Sequence, residues 1–347
     1  MIFASRKLLL SVFFVLATTN AWSQDKLIFA LDLIRHGDRT PIHAIPKSPP
    51  YHWLGEGQLT SEGMRQEYQL GMQLRKKYVD QYHLLPSRYD VNVMYVRSTD
   101  YDRTLMSAES LLLGLYPLGT GPGPHGYQPI SIYTVPKNDD SAFIPDIDRG
   151  KFNELIDQYV VSGAEWKKKN AELESNYTRW SQATGMTITN LRQLSSLGDT
   201  LYIDELHHAP LPPELSAADI KTIRQAGKWA LTAAYRPKEV GDVMGGPLLA
   251  VIIDYLRDAI QQKTNLKYVL LSAHDTSIMS VMSAMRAPLS EPPGYASDLN
   301  FAVFKTDGGK EVVKVSFNGK PVSIPGCQGS VCTLEQLTAI PPSSANY

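Results

Sequence analysis

The sequence predicts an α/β fold with a block of helices inserted into it, and three observations carry that reading. Apolar runs end in polar or basic residues at three separated places: residues 27–34 before Arg35, 91–96 before Arg97, and 267–273 before His274. Each is followed downstream by apolar residues at helical spacing. Between residues 136 and 240 the strand patterns give way to helical ones. The expected organisation is an α/β core from residues 24–135 and 241–347, a helical subdomain from 136–240, and an export signal at 1–23.

The signal reading rests on Arg6 and Lys7, an apolar run at 8–17 too short to span a bilayer, and small residues at Ala21 and Ser23. Cleavage is expected before Gln24, which places the protein in the periplasm or outside the cell. Removal of the segment takes away two positive charges and no negative one from a chain of net charge −1. A balance so near neutral argues against general nucleic-acid binding, so any positive site must be local. No other apolar run approaches a membrane span, so none is expected in the mature form. The two cysteines, Cys327 and Cys332, read as a disulfide in an exported chain. Two thiols with no histidine nearby do not complete a tetrahedral metal site.

Along the core, residues 27–34 read as a buried strand. A helix is expected from Thr60, with Met64, Tyr68, Leu74 and Tyr78 as its apolar stripe and Arg65, Glu67, Arg75 and Lys76 on its exposed face. After the strand at 91–96, Ser98 or Thr99 is suited to cap a helix with Leu105, Ala108, Leu112 and Leu115 on one side. Residues 121–124 are a Gly/Pro turn, and 130–135 returns to strand character. Helices are expected at 157–177, 187–197 and 216–235, with 201–203 the one strand-like stretch among them. The core resumes at Gly245-Gly246 with a helix to residue 260, then the strand at 267–273 and a helix bearing Ile278, Met282 and Met285. Strands at 299–305 and 311–317 are joined by the turn Asp307-Gly308-Gly309.

Three strand ends offering groups suited to an anion point to the crevice where open α/β sheets bind ligands. In the segment Arg35-His36-Gly37-Asp38-Arg39-Thr40-Pro41 an imidazole stands between two guanidinium groups. Guanidinium forks match phosphate oxygens, and an imidazole can attack phosphorus. Adjacent arginines should lower the pKa of His36 and keep it unprotonated in acid. Enhancements of phosphate-ester hydrolysis on the order of 10²¹ correspond to roughly 28 kcal/mol of transition-state stabilisation. A single fixed donor supplies about 3–4 kcal/mol, so several converging cations and a covalent step are needed.

These segments resemble the histidine acid phosphatases, the acid-phosphatase branch of the phosphoglycerate-mutase-like superfamily. The likeness to its prostatic-type members runs from residues 35–41 through Gly57-Gln58-Leu59-Thr60, residues 97–108, His207, Gly245-Gly246 and 272–276. It continues to Pro292-Pro293, Tyr295-Ala296-Ser297 and Cys327 with Cys332. It departs at Asp298, where those relatives tend to carry a cysteine. The resemblance implies a three-layer α/β/α core with a mainly parallel sheet. It implies His36 as nucleophile, its ring fixed by a backbone carbonyl in the turn, and Asp275 as proton donor. Arg35, Arg39, Arg97 and His274 are the implied phosphate ligands. It implies small phosphomonoester substrates, no metal and no organic cofactor, and leaves a homodimer open. A phytase or sugar-phosphate phosphatase would use the same site, as would a mutase, against which the export signal argues. A non-catalytic phospholigand-binding protein is the alternative of another class; loss of His36 or an arginine would have favoured it. His207 reads as structural, Asp38, Asp100 and Asp102 as partners for arginines or helix caps, and His43, His52 and Trp53 as candidate pocket residues.

Overall fold

β1 (Lys26–Arg35) is the axis of the molecule in this computed structural model, which describes residues 25–340. The expected export signal lies outside those residues. After β1 come α1 (Ser61–Arg75), β2 (Met94–Ser98) and α2 (Asp102–Leu115). Four helices follow: α3 (Arg149–Ile156), α4 (Ala164–Thr184), α5 (Leu191–Leu206) and α6 (Ala217–Ala234). The chain then returns through α7 (Gly246–Ile260), β3 (Tyr268–Ala273), α8 (Asp275–Ala284), β4 (Asp298–Lys305) and β5 (Glu311–Phe317).

The sheet order is β2-β3-β1-β4-β5, with short strands beyond. β2, β3 and β1 run parallel, and this is the half that carries the polar strand ends. β4 and β5 are antiparallel additions on the other side of β1. Alternation along β1 makes the three layers. Phe29, Leu31 and Leu33 pack with Leu248 and Ile252 of α7 and Ile278 and Met282 of α8. Ala30 and Ile34 pack on the opposite face with Leu74 of α1 and Ala108 and Leu111 of α2. Burying each such large apolar side chain contributes roughly 1.5–3 kcal/mol. The helical block has a core of its own around Trp166, Trp180, Leu194, Leu197 and Ile223.

Five local expectations are corrected. Residues 91–93 form a turn, and β2 starts at Met94 and runs through Ser98, so Arg97 lies inside the strand. α2 therefore starts later, at Asp102, and neither Ser98 nor Thr99 caps it. Residues 130–135 contribute only a bridge between Tyr133 and Arg97, and 201–203 are part of α5. On α1 the buried side is Gly63, Glu67, Gly71 and Leu74, while Met64 is exposed. The cause is close packing on α2: a side chain at Gly71 would meet the Leu111 carbonyl oxygen at 2.0 Å. Cys327 and Cys332 are joined by a disulfide. Among the described residues no helix is long and apolar enough to cross a membrane.

Candidate active site

β1 and β3 end level, with Arg35 opposite Ala273. The next residue of each chain is a histidine, and the His36 amide donates to the Ala273 carbonyl at 3.1 Å. Their rings meet edge to face with centroids 5.8 Å apart. Gly37 is needed here for close approach rather than for an unusual φ. A Cβ on it would lie 2.4 Å from the Gly63 carbonyl oxygen at the start of α1. The turn is held from behind by Ser107, which accepts from the Gly37 amide at 3.1 Å. His36 Nδ1 lies 2.7 Å from the Gly37 carbonyl oxygen. A carbonyl only accepts, so Nδ1 carries the proton and Nε2 presents a lone pair.

Burial, Arg103, Arg35, Arg39 and His274, in that order, hold the His36 pKa well below that of a free imidazole. His274 is pulled down to about 3, by burial first and Arg103 next. It lies 3.0 Å from the Thr99 hydroxyl through Nε2 and 3.3 Å from Arg103 through Nδ1. Arg35 donates to Asp275 at 2.9 Å and to the Pro293 carbonyl at 2.5 Å. Burial pushes the Asp275 carboxyl up, but Arg35 and Arg39 outweigh it and hold the group below its ordinary value. Arg39 pairs with Asp199 of α5 at 2.9 Å.

The structure thus brings together Arg35, His36, Arg39, His274 and Asp275, and leaves out Arg97. Arg97 points from the middle of β2 to Asp140, 2.6 Å away, and lies over the Phe143 ring at 3.9 Å. The cation that joins the cluster is Arg103. It is the second residue of α2, and its guanidinium reaches His274 and lies 4.6 Å over the Tyr101 ring. Burial and the nearby Arg39 lower its pKa to about 10. The signal for it was present: an arginine just past a strand end, opening a helix over the same crevice. The resemblance was carried instead onto Arg97, the arginine that directly follows the apolar run at 91–96.

Three further residues complete the surroundings. Tyr295 packs 4.5 Å over Arg35 and 6.1 Å from His36. Asp38 is fully buried and does not pair with an arginine; its carboxylate accepts from Thr60 at 2.5 Å and meets His207 Nε2 at 2.7 Å. His207 is therefore a link between α5 and the β1 turn, with Trp53 edge-on to its ring. Asp102 accepts from Gln58 at 2.9 Å. A cleft of about 400 Å³ opens from Arg39 and Asp275 toward the helical block, with His43, Phe152, Trp166 and Tyr235 in its walls. Among the described residues no group of three His, Cys, Asp or Glu side chains is arranged to hold a metal ion.

A nucleophile-grade imidazole ringed by guanidinium groups, with a carboxyl group 2.9 Å from one of them, defines a phosphoryl-handling α/β protein. The chain belongs to the histidine phosphatase superfamily (branch 2), whose family model matches residues 26–318. It is a phosphoric monoester hydrolase that works through a phosphohistidine. The chain is 32% identical to bovine lysosomal acid phosphatase over 322 residues, covering 87% of this chain and 74% of that one. It is 30% identical to bovine prostatic acid phosphatase over 337 residues, covering 91% and 84%. Among solved structures, the Klebsiella phytase superposes with a TM-score of 0.69 at 19% identity, covering 93% of this chain and 99% of that one. The Hafnia alvei phytase gives 0.68 at 16%, covering 92% and 97%. At such identity these neighbours speak for the fold.

Proposed function

We propose that this protein is an exported acid phosphatase acting on phosphate monoesters, in which His36 Nε2 attacks the phosphorus and the alcohol leaves from the opposite side. The observation that carries the reading is the Nδ1 contact to the Gly37 carbonyl, which fixes the tautomer and leaves Nε2 free among four cationic or donor side chains. Arg35, Arg39, Arg103 and His274 hold the phosphoryl oxygens and offset the charge that develops there. Because burial and the arginines depress its pKa, His36 stays a nucleophile in acid, where a free imidazole is protonated.

Asp275 protonates the leaving alkoxide. Paired with Arg35 it is held ionised. A phosphoryl group draws Arg35 to itself and adds negative charge beside the carboxyl, and both changes raise the Asp275 pKa. The acid and the substrate therefore arrive together. Attack forms the N–P bond and breaks the P–O bond. Water then hydrolyses the phosphohistidine, with Asp275 as base. Export is supported by the basic and apolar start of the sequence and by the Cys327–Cys332 disulfide. The test is rapid quench with labelled substrate. A phosphoenzyme stable in base and labile in acid is expected, absent from His36→Ala. Label on serine, aspartate or cysteine, or a His36→Ala variant that still turns over, would sink the assignment.

A further inference from the structure

Beside the phosphate-binding floor lies a second, smaller cavity of about 120 Å³ that no step above uses. Its inner end is Arg35, Asp275 and Tyr295; its outer end is Tyr202 of α5 with Arg224 and Lys228 of α6. The wall between them is aromatic. Tyr202 stacks on Tyr295 at 6.4 Å between centroids, and Tyr295 lies on Arg35. At the outer end both cations gather on one ring. The Arg224 guanidinium is 5.0 Å and the Lys228 ammonium 5.9 Å from the centre of Tyr202.

The charges along this cavity are matched except at its outer end. Asp275 answers Arg35, Asp199 answers Arg39, and Glu205 answers Arg224. Lys228 has no carboxylate partner among the described residues. The Arg224 Nε is buried without a hydrogen-bond partner. An unmatched ammonium beside a guanidinium is an anion site in the making, and the two forms of donor suit a phosphate.

We propose that this cavity binds a second phosphate carried by the leaving group, so that small bisphosphates are preferred over monophosphates of the same skeleton. One phosphate sits on Arg35, Arg39, Arg103 and His274; the spacer runs along Tyr295 and Tyr202; the other phosphate meets Lys228 and Arg224. The inference rests on the phosphatase reading.

The experiment compares butanediol bisphosphate with butanediol monophosphate at fixed ionic strength. Two equivalent esters alone give a kcat/KM ratio near two. The expected wild-type ratio is about twenty or more, carried by KM. In Lys228→Gln, an exposed position, the ratio falls about tenfold, which is about 1.4 kcal/mol. Arg224→Gln falls in the same direction. Lys221→Gln removes an equal charge from the same helix outside this cavity and should keep the wild-type ratio. A wild-type ratio near two, an unchanged ratio in Lys228→Gln, or an equal fall in Lys221→Gln would overturn the subsite. Failure to hydrolyse either ester would instead overturn the phosphatase reading beneath it.

Discussion

The floor and the wall of the cleft are built in opposite ways. On the floor, Arg35, His36, Arg39 and His274 are 2–7% exposed and stand at or just beyond the ends of β1 and β3. Their positions follow from strand register and from backbone contacts such as His36 to Gly37 and Arg35 to Pro293. On the wall, Asp199, Tyr202, Arg224 and Lys228 project from α5 and α6, whose apolar faces pack into a separate core. Their positions follow from how the helical block docks. A rigid floor suits a reaction whose geometry is the same for every substrate. A wall of projecting side chains suits discrimination, because a substitution there need not disturb the sheet.

The sharpest way to break that comparison is to set Arg103 against Arg97. Arg103→Ala should lower kcat by about 10²–10³, the usual effect of removing a preorganised transition-state donor. Arg97→Ala should keep kcat within about tenfold but lower stability by roughly 3 kcal/mol, since it leaves a buried carboxylate alone. Asp140 is already raised by burial against the pull of Arg97 and of the Phe143 amide, and without Arg97 only that amide would offset its burial. Kinetics and thermal melts on both variants decide the matter. A large kcat loss in a well-folded Arg97→Ala protein would return that residue to the floor.

The same pair shows what the sequence could and could not disclose. Arg35, His36, Arg39, His274 and Asp275 were legible because each adjoins an unambiguous buried strand, so position along the chain fixes position in space. Arg103 was missed because the boundaries of β2 are set by pairing with β3 through Ser98, not by the apolar run that starts at Val91. Asp199 and Tyr202 gave no local signal at all, and Tyr295 was marked only by the family likeness of its segment. Which face of α5 meets the cleft is decided by packing between helices distant in sequence. Glu67 was placed on the wrong side for a related reason. A glutamate at helical spacing reads as solvated, yet the glycine-lined contact of α1 with α2 turns that face inward.

Where floor and wall join, the expected effect is smaller. Asp199 reaches from α5 to Arg39, so it is a positioning residue with two opposed influences. It orients the guanidinium and it also neutralises part of its charge. Asp199→Asn should lower kcat about tenfold, through a looser Arg39. Inhibition by inorganic phosphate should tighten, by about threefold or more, because a negative charge near the phosphate has gone. A purely structural role would weaken turnover and phosphate binding together, and that outcome would remove Asp199 from the machinery.

The effect that touches turnover least lies beneath the floor, where the core side tolerates charge least. Glu67 is fully buried one turn beyond Gly63, and neither carboxylate oxygen has a hydrogen-bond partner. Burial raises its pKa well above the ordinary value, so it is held protonated in the folded state. The wall offers the contrast in Asp219 at the start of α6. That group accepts from Arg179, Trp180 and Ser216 and is held well below its ordinary value by them. The two groups have opposite linkage. Glu67 binds more protons folded than unfolded, so its contribution is complete below an unfolded pKa of about 4.3 and is lost as pH rises above it. Glu67→Gln abolishes that dependence while keeping the shape of the side chain. The stability of the variant relative to wild type should therefore rise with pH from about 4.5 toward 7.5, by up to about 1.36 kcal/mol per unit. Any fixed cost of the amide shifts both ends equally and cancels in the comparison. Urea titrations at several pH values measure the slope. Parallel curves for the two proteins would mean that Glu67 is ionised in the folded core, and that the contrast between floor and wall does not extend beneath the site.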